Sequence, residues 1–135
     1  MIMRSLTDIF KLLTDASRIR ILLLLAQREL CVCQIMGVLD MSQPLVSRNL
    51  SLLFKAEFLD DRREGKMMFY RVRKKLPSPL ADLMTILKSE LSDNALFQSD
   101  LRSLKDCTEY QKKTGKCDME TFLNYMQQKK KVRKK

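Results

Sequence analysis

The sequence predicts a mainly α fold with a small β-hairpin, an α+β arrangement in which helices dominate. Apolar residues recur at the i, i+3, i+4, i+7 spacing of amphipathic helices in several segments. One segment, residues 58–72, instead has two short strand-like runs on either side of a turn that contains Gly65. The 135 residues include only three Gly and three Pro, and 45% are hydrophobic, which argues against a sandwich, a barrel or a disordered chain.

Capping residues and apolar stripes place the first four helices. A stripe over residues 6–13 predicts the first helix, and Asp15 is a suitable N-cap for a second, buried helix over residues 15–26. A short helix follows over residues 32–40. After a turn at residues 40–41, Ser42 caps a helix that runs to about residue 56. Pro44 lies in its first turn, where the missing N–H of proline is harmless.

A hairpin and three more helices complete the chain. Residues 58–63 and 67–72 form the strands, and an apolar stripe over residues 80–91 predicts the next helix. We expect helices over residues 95–113 and from Asp118 onward, separated by a glycine stop at Gly115. The chain therefore divides into a main domain, residues 1–92, and a helical C-terminal extension, residues 93–135, which carries Cys107, Cys117 and a basic tail.

This order of elements is that of a winged helix-turn-helix, with the helix over residues 42–56 in the position that enters the major groove of DNA. Val46, Leu50 and Leu53 form its inward stripe. Its opposite face is small, polar and basic, as contacts to base edges and phosphates require. An ordinary solvated face, with the hairpin arginines paired to nearby carboxylates, is the alternative interpretation. The predicted DNA-binding residues are Ser42, Gln43, Pro44, Ser47, Arg48, Ser51, Arg62, Arg63 and Lys66.

The charge and the missing residue types narrow the function classes. The formal net charge is +10, from 26 Lys and Arg against 16 Asp and Glu, and six positive charges lie in residues 129–135. Such a block is most often a solvated, disordered tail, and an auxiliary phosphate-binding role is the other option. The chain has no histidine, which excludes Ser/His/Asp hydrolysis and His-based zinc sites. The longest apolar run, residues 21–26, is too short to cross a membrane.

Four cysteines are the candidate chemical groups. The N-terminus lacks the apolar stretch of a signal peptide, so we expect a cytoplasmic, reducing location and thiols or metal ligands rather than disulfides. Cys31 and Cys33 are two residues apart, and residues i and i+2 of a helix point roughly opposite ways. Both sulfurs can therefore reach one ion only if one of them lies at or before the helix start.

Three segments together resemble the ArsR/SmtB family of metalloregulatory repressors. They are ELCVC at residues 29–33, MSQPLVSRNL at residues 41–50, and RREGK at residues 62–66 with Tyr70 beyond it. The similarity covers roughly residues 3–91. It implies a winged-helix repressor that is released from a palindromic operator when a metal or metalloid binds. It also implies a homodimer formed through the first and last helices of the domain. Relatives often carry His at the position of Asn49, a difference that bears on operator contacts.

The arsenite-sensing members that this sequence resembles have a third cysteine three residues after the second, which completes a three-sulfur site. Met36 stands at that position here. A thioether is a poor substitute for a thiolate toward As(III), so we expect Cys107 or Cys117 to join Cys31 and Cys33, from the same subunit or the other one. Three thiolates suit As(III) or Sb(III), the favoured inducers, whereas four would suit Cd(II), Pb(II) or Zn(II). Inert, buried cysteines are the structural alternative.

Three further hypotheses compete with this interpretation. One is a repressor of the same fold that responds to oxidation of its thiols. Another is a thiol enzyme, which is disfavoured because the chain has no C-x-x-C motif and no βαβ pattern. A partner-binding module without DNA activity is the third, and it leaves the basic hairpin unexplained. We therefore expect a non-enzymatic regulator whose partners are double-stranded DNA and a second copy of the chain, with no membrane and no protein substrate.

Overall fold

Seven helices and one small sheet make up residues 3–114 and 118–134, which the computed structural model describes. The predicted mainly α fold with a winged helix-turn-helix is confirmed. No helix in these residues is long and apolar enough to span a membrane. The elements are α1 Met3–Leu12, α2 Ala16–Leu25, β1 Leu30–Cys31, α3 Val32–Leu39, α4 Gln43–Lys55, β2 Leu59–Glu64, β3 Met67–Val72, α5 Ser78–Leu91, α6 Ala95–Thr114 and α7 Met119–Lys134.

The helix-turn-helix consists of α3, a short turn and α4. Asp40 ends α3 in the left-handed region, at φ 58°, which an aspartate tolerates better than most residues do. Ser42 then caps α4, and its hydroxyl accepts a hydrogen bond from the backbone N–H of Leu45 at 3.4 Å. Asp15 caps α2 in the same way and accepts from the N–H of Ser17 at 2.8 Å. These caps lie where the sequence predicts them.

The wing is the hairpin of β2 and β3, and a third strand pairs with its inner edge. Gly65 has φ +60° in the hairpin turn, which a residue without a side chain adopts at little cost. The strand order is β1-β3-β2, and both pairs are antiparallel. In this register Cys31 lies opposite Phe69, and Phe69 lies opposite Arg62. The sequence does not predict β1, because a strand of two residues is too short to show any alternation.

The core is continuous from the main domain into the extension. Helix α2 is buried from Ile21 to Leu25, and α3 packs against α2, α4, α6 and α7. Gly37 of α3 permits a close approach by α7, since a Cβ at this position would lie 2.4 Å from the ring of Phe122. The same buried cluster includes residues of α6 and α7, namely Leu104, Cys107, Tyr110, Phe122 and Met126.

Polar contacts also join the extension to α2 and α3. Arg20 of α2 donates to both carboxylate oxygens of Asp100 on α6, at 2.9 and 3.0 Å. Lys130 of α7 donates to the carbonyl of Gly37 at 2.7 Å, and burial lowers the pKa of this lysine. Arg133 pairs with Asp106. Helix α7 continues to Lys134, so residues 129–134 are helical and do not form the disordered tail that their composition favours.

Candidate DNA-binding surface and thiol pair

One face of α4 is exposed and polar, and the other is buried. Val46, Leu50 and Leu53 have at most 1% of their surface exposed, so the inward stripe anchors the helix in the core. The opposite face, together with the tip of the wing, carries the predicted DNA-binding residues. Their contacts with DNA stay a prediction, but all of them are exposed, as such contacts require: Ser42, Gln43, Pro44, Ser47, Arg48, Ser51, Arg62, Arg63 and Lys66.

Asn49 lies on the buried side of α4 and not on the exposed face. Its side chain has no exposed surface, and neither its oxygen nor its nitrogen has a hydrogen-bond partner among the described residues. An asparagine at this position therefore does not act by direct contact with an operator.

Arg62 of the wing is held by two carboxylates and an aromatic ring. Its Nη2 and Nε donate to Glu29 Oε1 at 2.6 and 3.0 Å, and its Nη1 donates to Glu64 at 3.1 Å. The guanidinium carbon lies 4.9 Å from the centre of the Phe69 ring. The hydrogen bond from Arg62 holds the pKa of Glu29 below its ordinary value. Sequence reasoning expects a local acidic partner for Arg62 and misses Glu29, which is 33 residues away.

Cys31 and Cys33 bring their sulfurs together at the beginning of α3. The two Sγ atoms are 3.4 Å apart. Cys31 is the extended N-cap residue, with φ −90° and ψ 171°, and Cys33 lies in the first turn. The Gln34 side chain accepts from the N–H of Cys31 at 3.0 Å, which fixes the position of the cap. Cys31 thus lies before the helix start, which is the condition for both sulfurs to reach one ion. In addition, a helix N-terminus favours a thiolate over a thiol.

Comparison with known proteins identifies the family. Residues 15–61 match the arsR family of bacterial regulatory proteins. The chain is 42% identical over 94 residues to the arsenic resistance transcriptional regulator ArsR2 of Pseudomonas putida, and the match covers 66% of this chain and 82% of that protein. The chain belongs to the ArsR family. Members of this family are DNA-binding regulators, so this ArsR-family protein is a transcriptional regulator of the metalloregulatory kind and not an enzyme.

The names of two other relatives of this ArsR-family protein refer to arsenic compounds and to cadmium. It is 43% identical over 78 residues to the arsenical resistance operon repressor of Escherichia coli, with 57% of this chain and 67% of that protein covered. It is 34% identical over 70 residues to the cadmium resistance transcriptional regulatory protein CadC of Listeria innocua, with 51% of this chain and 59% of that protein covered.

Solved structures agree on the fold. The homodimeric winged helix-turn-helix DNA-binding domain of a possible ArsR-family regulator, Mb0332 from Mycobacterium bovis, superposes with a TM-score of 0.55 at 27% identity. The match covers 68% of this ArsR-family chain and 82% of that one, so roughly a third of this chain lies outside it.

Among the described residues, Cys107 forms no three-ligand group with the thiol pair. Met36 is half-buried on α3, and Cys107 is fully buried on α6. In residues 3–114 and 118–134, no group of three or more Cys, Asp or Glu side chains is arranged to hold a metal ion. Cys117 lies outside the described residues. Within residues 3–114 and 118–134, the thiols of Cys31 and Cys33 are therefore the sulfurs shown close together.

Proposed function

We propose that the chain is a homodimeric repressor that binds double-stranded operator DNA and leaves it when As(III) or Sb(III) binds Cys31 and Cys33. The observation that carries this proposal is the 3.4 Å separation of the two sulfurs at the beginning of α3. This helix packs directly against α4, which carries the predicted base-reading face. A change in the first turn of α3 therefore reaches the DNA-binding helix through one packed interface.

The sulfur separation allows both thiolates to bind one ion. With ion–sulfur bonds of about 2.3 Å, sulfurs 3.4 Å apart subtend an angle of about 95° at a shared ion. Three thiolates suit As(III) or Sb(III), whereas four suit Zn(II) or Cd(II). As(III) and Sb(III) are the first candidates, because arsenic resistance regulators are among the relatives. A cadmium-responsive repressor is the second candidate, because a cadmium resistance regulator is among the relatives.

The extension supplies the third thiolate in this proposal, from Cys107 or Cys117. Helix α6 packs on α3, and Arg28, which lies three residues before Cys31, donates to the hydroxyl of Thr108 at 2.8 Å. Thr108 is the neighbour of Cys107 in the chain. This contact supports Cys107 as a ligand after a local rearrangement of α6, and Cys117 follows in the segment between α6 and α7.

A second copy of the chain covers apolar surface on α1 and α5. Leu6 and Phe10 of α1 are 38% and 51% exposed, and Ile86 of α5 is 55% exposed. Burying such side chains gains about 25 cal/mol for each Å² of apolar surface. The homodimeric state of the related Mycobacterium domain supports a dimer of this chain.

Fluorescence anisotropy of a labelled duplex from the gene's own upstream region tests the proposal. Arsenite and cadmium are titrated separately against the reduced, full-length protein and its Cys31→Ser, Cys33→Ser, Cys107→Ser and Cys117→Ser variants. Met36→Leu is the matched control, because it alters a sulfur on α3 without removing a thiol. A coupling of about 1–3 kcal/mol between the sites weakens operator binding by about 5- to 150-fold.

We expect arsenite to release the wild type and Met36→Leu, and not Cys31→Ser or Cys33→Ser. Loss of the response in one of the other two variants then identifies the third ligand. Release by cadmium alone would select the second candidate. Release by peroxide but by neither ion would replace both with a thiol-oxidation switch, and tight DNA binding that nothing changes would leave a regulator without a thiol signal.

A further inference from the structure

A row of three side chains crosses the sheet from the thiol pair to the wing. Cys31 on β1 lies opposite Phe69 on β3, and Phe69 lies opposite Arg62 on β2. Residues directly opposite each other on antiparallel strands project from the same face of the sheet and contact one another. The stacking distance of 4.9 Å between the Arg62 guanidinium carbon and the Phe69 ring centre completes the row.

Glu29 closes this row from the other side. It lies two residues before Cys31, and its carboxylate accepts from Arg62 at 2.6, 3.0 and 3.2 Å. Arg62 is thus tied to the segment that contains Cys31 in two independent ways, through the ring of Phe69 and through the carboxylate of Glu29. Both contacts are made by Arg62, which is one of the predicted DNA-binding residues of the wing.

We propose that the row Cys31–Phe69–Arg62, closed by Glu29, transmits the state of the thiol pair to the wing, with Phe69 and Glu29 as positioning residues. This inference rests on the proposed ligand-induced release. When both sulfurs bind one ion together with a third thiolate of the extension, Cys31 is drawn toward that third thiolate. Strand β1 then moves relative to β3, and both ties to Arg62 change together.

Packing of α3 on α4 offers a second route from the same thiols to the DNA. If that route alone operates, Phe69 and Glu29 affect operator affinity equally with and without the inducer. If the row operates, substitutions in it change the ratio of the two affinities. Arg63 is the matched control, because it lies on the same strand opposite Met68, projects from the other face, and donates to the Gly65 carbonyl within the wing.

The experiment measures the operator Kd of the reduced full-length protein without and with saturating arsenite, and their ratio is the release factor. The variants are Glu29→Gln and Phe69→Leu, with Arg63→Gln as the control. Arsenite binding is followed independently by sulfur-to-arsenic charge-transfer absorption, and folding by circular dichroism. Glu29→Gln alters only a surface carboxylate, so it keeps the test informative if Phe69→Leu unfolds.

We expect each row variant to lower the release factor by about 2- to 5-fold while arsenite still binds. Linkage requires the ratio of the arsenite affinities of DNA-free and DNA-bound protein to fall by the same factor. Arg63→Gln weakens operator binding in both states and leaves the release factor unchanged.

Three outcomes overturn the proposal, and they are distinguishable. Unchanged release factors in Glu29→Gln and Phe69→Leu, with arsenite binding intact, refute the row and leave the proposed function standing. An equal decrease in Arg63→Gln shows that any loosening of the wing has this effect, which also refutes a specific row. A wild type that binds the operator and is not released by arsenite removes the proposed function and the row together.

Discussion

Replacing Gly37 with alanine tests how tightly α7 closes on α3. A new Cβ would lie 2.4 Å from Cε2 and 2.9 Å from Cζ of Phe122, whereas ordinary contacts begin at 3.4 Å. The ring or the helix must therefore retreat by about 1 Å. Phe122 is 1% exposed, and its ring centre lies 5.3 Å from that of Tyr110, so the shift propagates into the core.

Two opposing effects set the magnitude. Overpacking a core costs about 1–3 kcal/mol. Alanine is favoured over glycine in a helix interior by about 1 kcal/mol. We therefore expect Gly37→Ala to lower the free energy of unfolding by about 1 kcal/mol, and by no more than about 2. Urea unfolding of the reduced full chain measures this change, at one protein concentration because the proposed dimer would add to the stability.

The matched background is Phe122→Leu, which removes the ring that the new Cβ would meet. Gly37→Ala should be neutral or stabilising there, by up to about 1 kcal/mol, because helix propensity then outweighs the one remaining close contact, at 3.2 Å from Cγ of Met126. Equal effects in the two backgrounds would refute the steric reasoning. Stabilisation of the wild-type background by the full propensity difference would refute it as well.

Four further predictions rest on the contacts and exposed residues described above. Arg20→Met leaves the carboxylate of Asp100 buried without its partner, and urea unfolding should show a loss of about 3 kcal/mol. The lowered pKa of Glu29 stabilises the fold above about pH 4.5, and this contribution is lost as the pH falls through the lower folded value. Thermal melting of Glu29→Gln should accordingly show a smaller loss of stability below that pH. Arg48→Gln should reduce the slope of log Kd against log salt by about 0.9, the value of one phosphate contact. Phe10→Glu should convert the dimer to a monomer in light scattering, and an unchanged mass would place the interface elsewhere.

Much of the fold and the thiol pair could be predicted because the signals are local. The caps Asp15 and Ser42 and the inward stripe of α4 lie within one or two helical turns of the residues they affect. The argument that one of Cys31 and Cys33 must precede the helix start needs only the pitch of a helix. The structure brings the two sulfurs together as that argument requires.

Other features depend on contacts between distant segments, which periodicity does not encode. Strand β1 exists only because β3 lies beside it, and the partner of Arg62 is on another element. Asn49 lies at i+3 on the inward stripe of α4, but its polar side chain gives no sign of burial in the sequence, and it is fully buried. The composition of α7 indicates a solvated basic block, whereas in the structure Lys130 and Arg133 bind acceptors on α3 and α6.

The contact between Gly37 and Phe122 also has a consequence for biosynthesis. These residues are 85 positions apart in the chain, so the contact of α3 with α7 forms only after α7 has left the ribosome. Contacts of such sequence separation form late in folding, because a long loop must close first. A nascent chain cut short before residue 119 lacks the helix that completes the thiol-bearing segment. The packing around the thiol pair is therefore completed only after α7 has been synthesised.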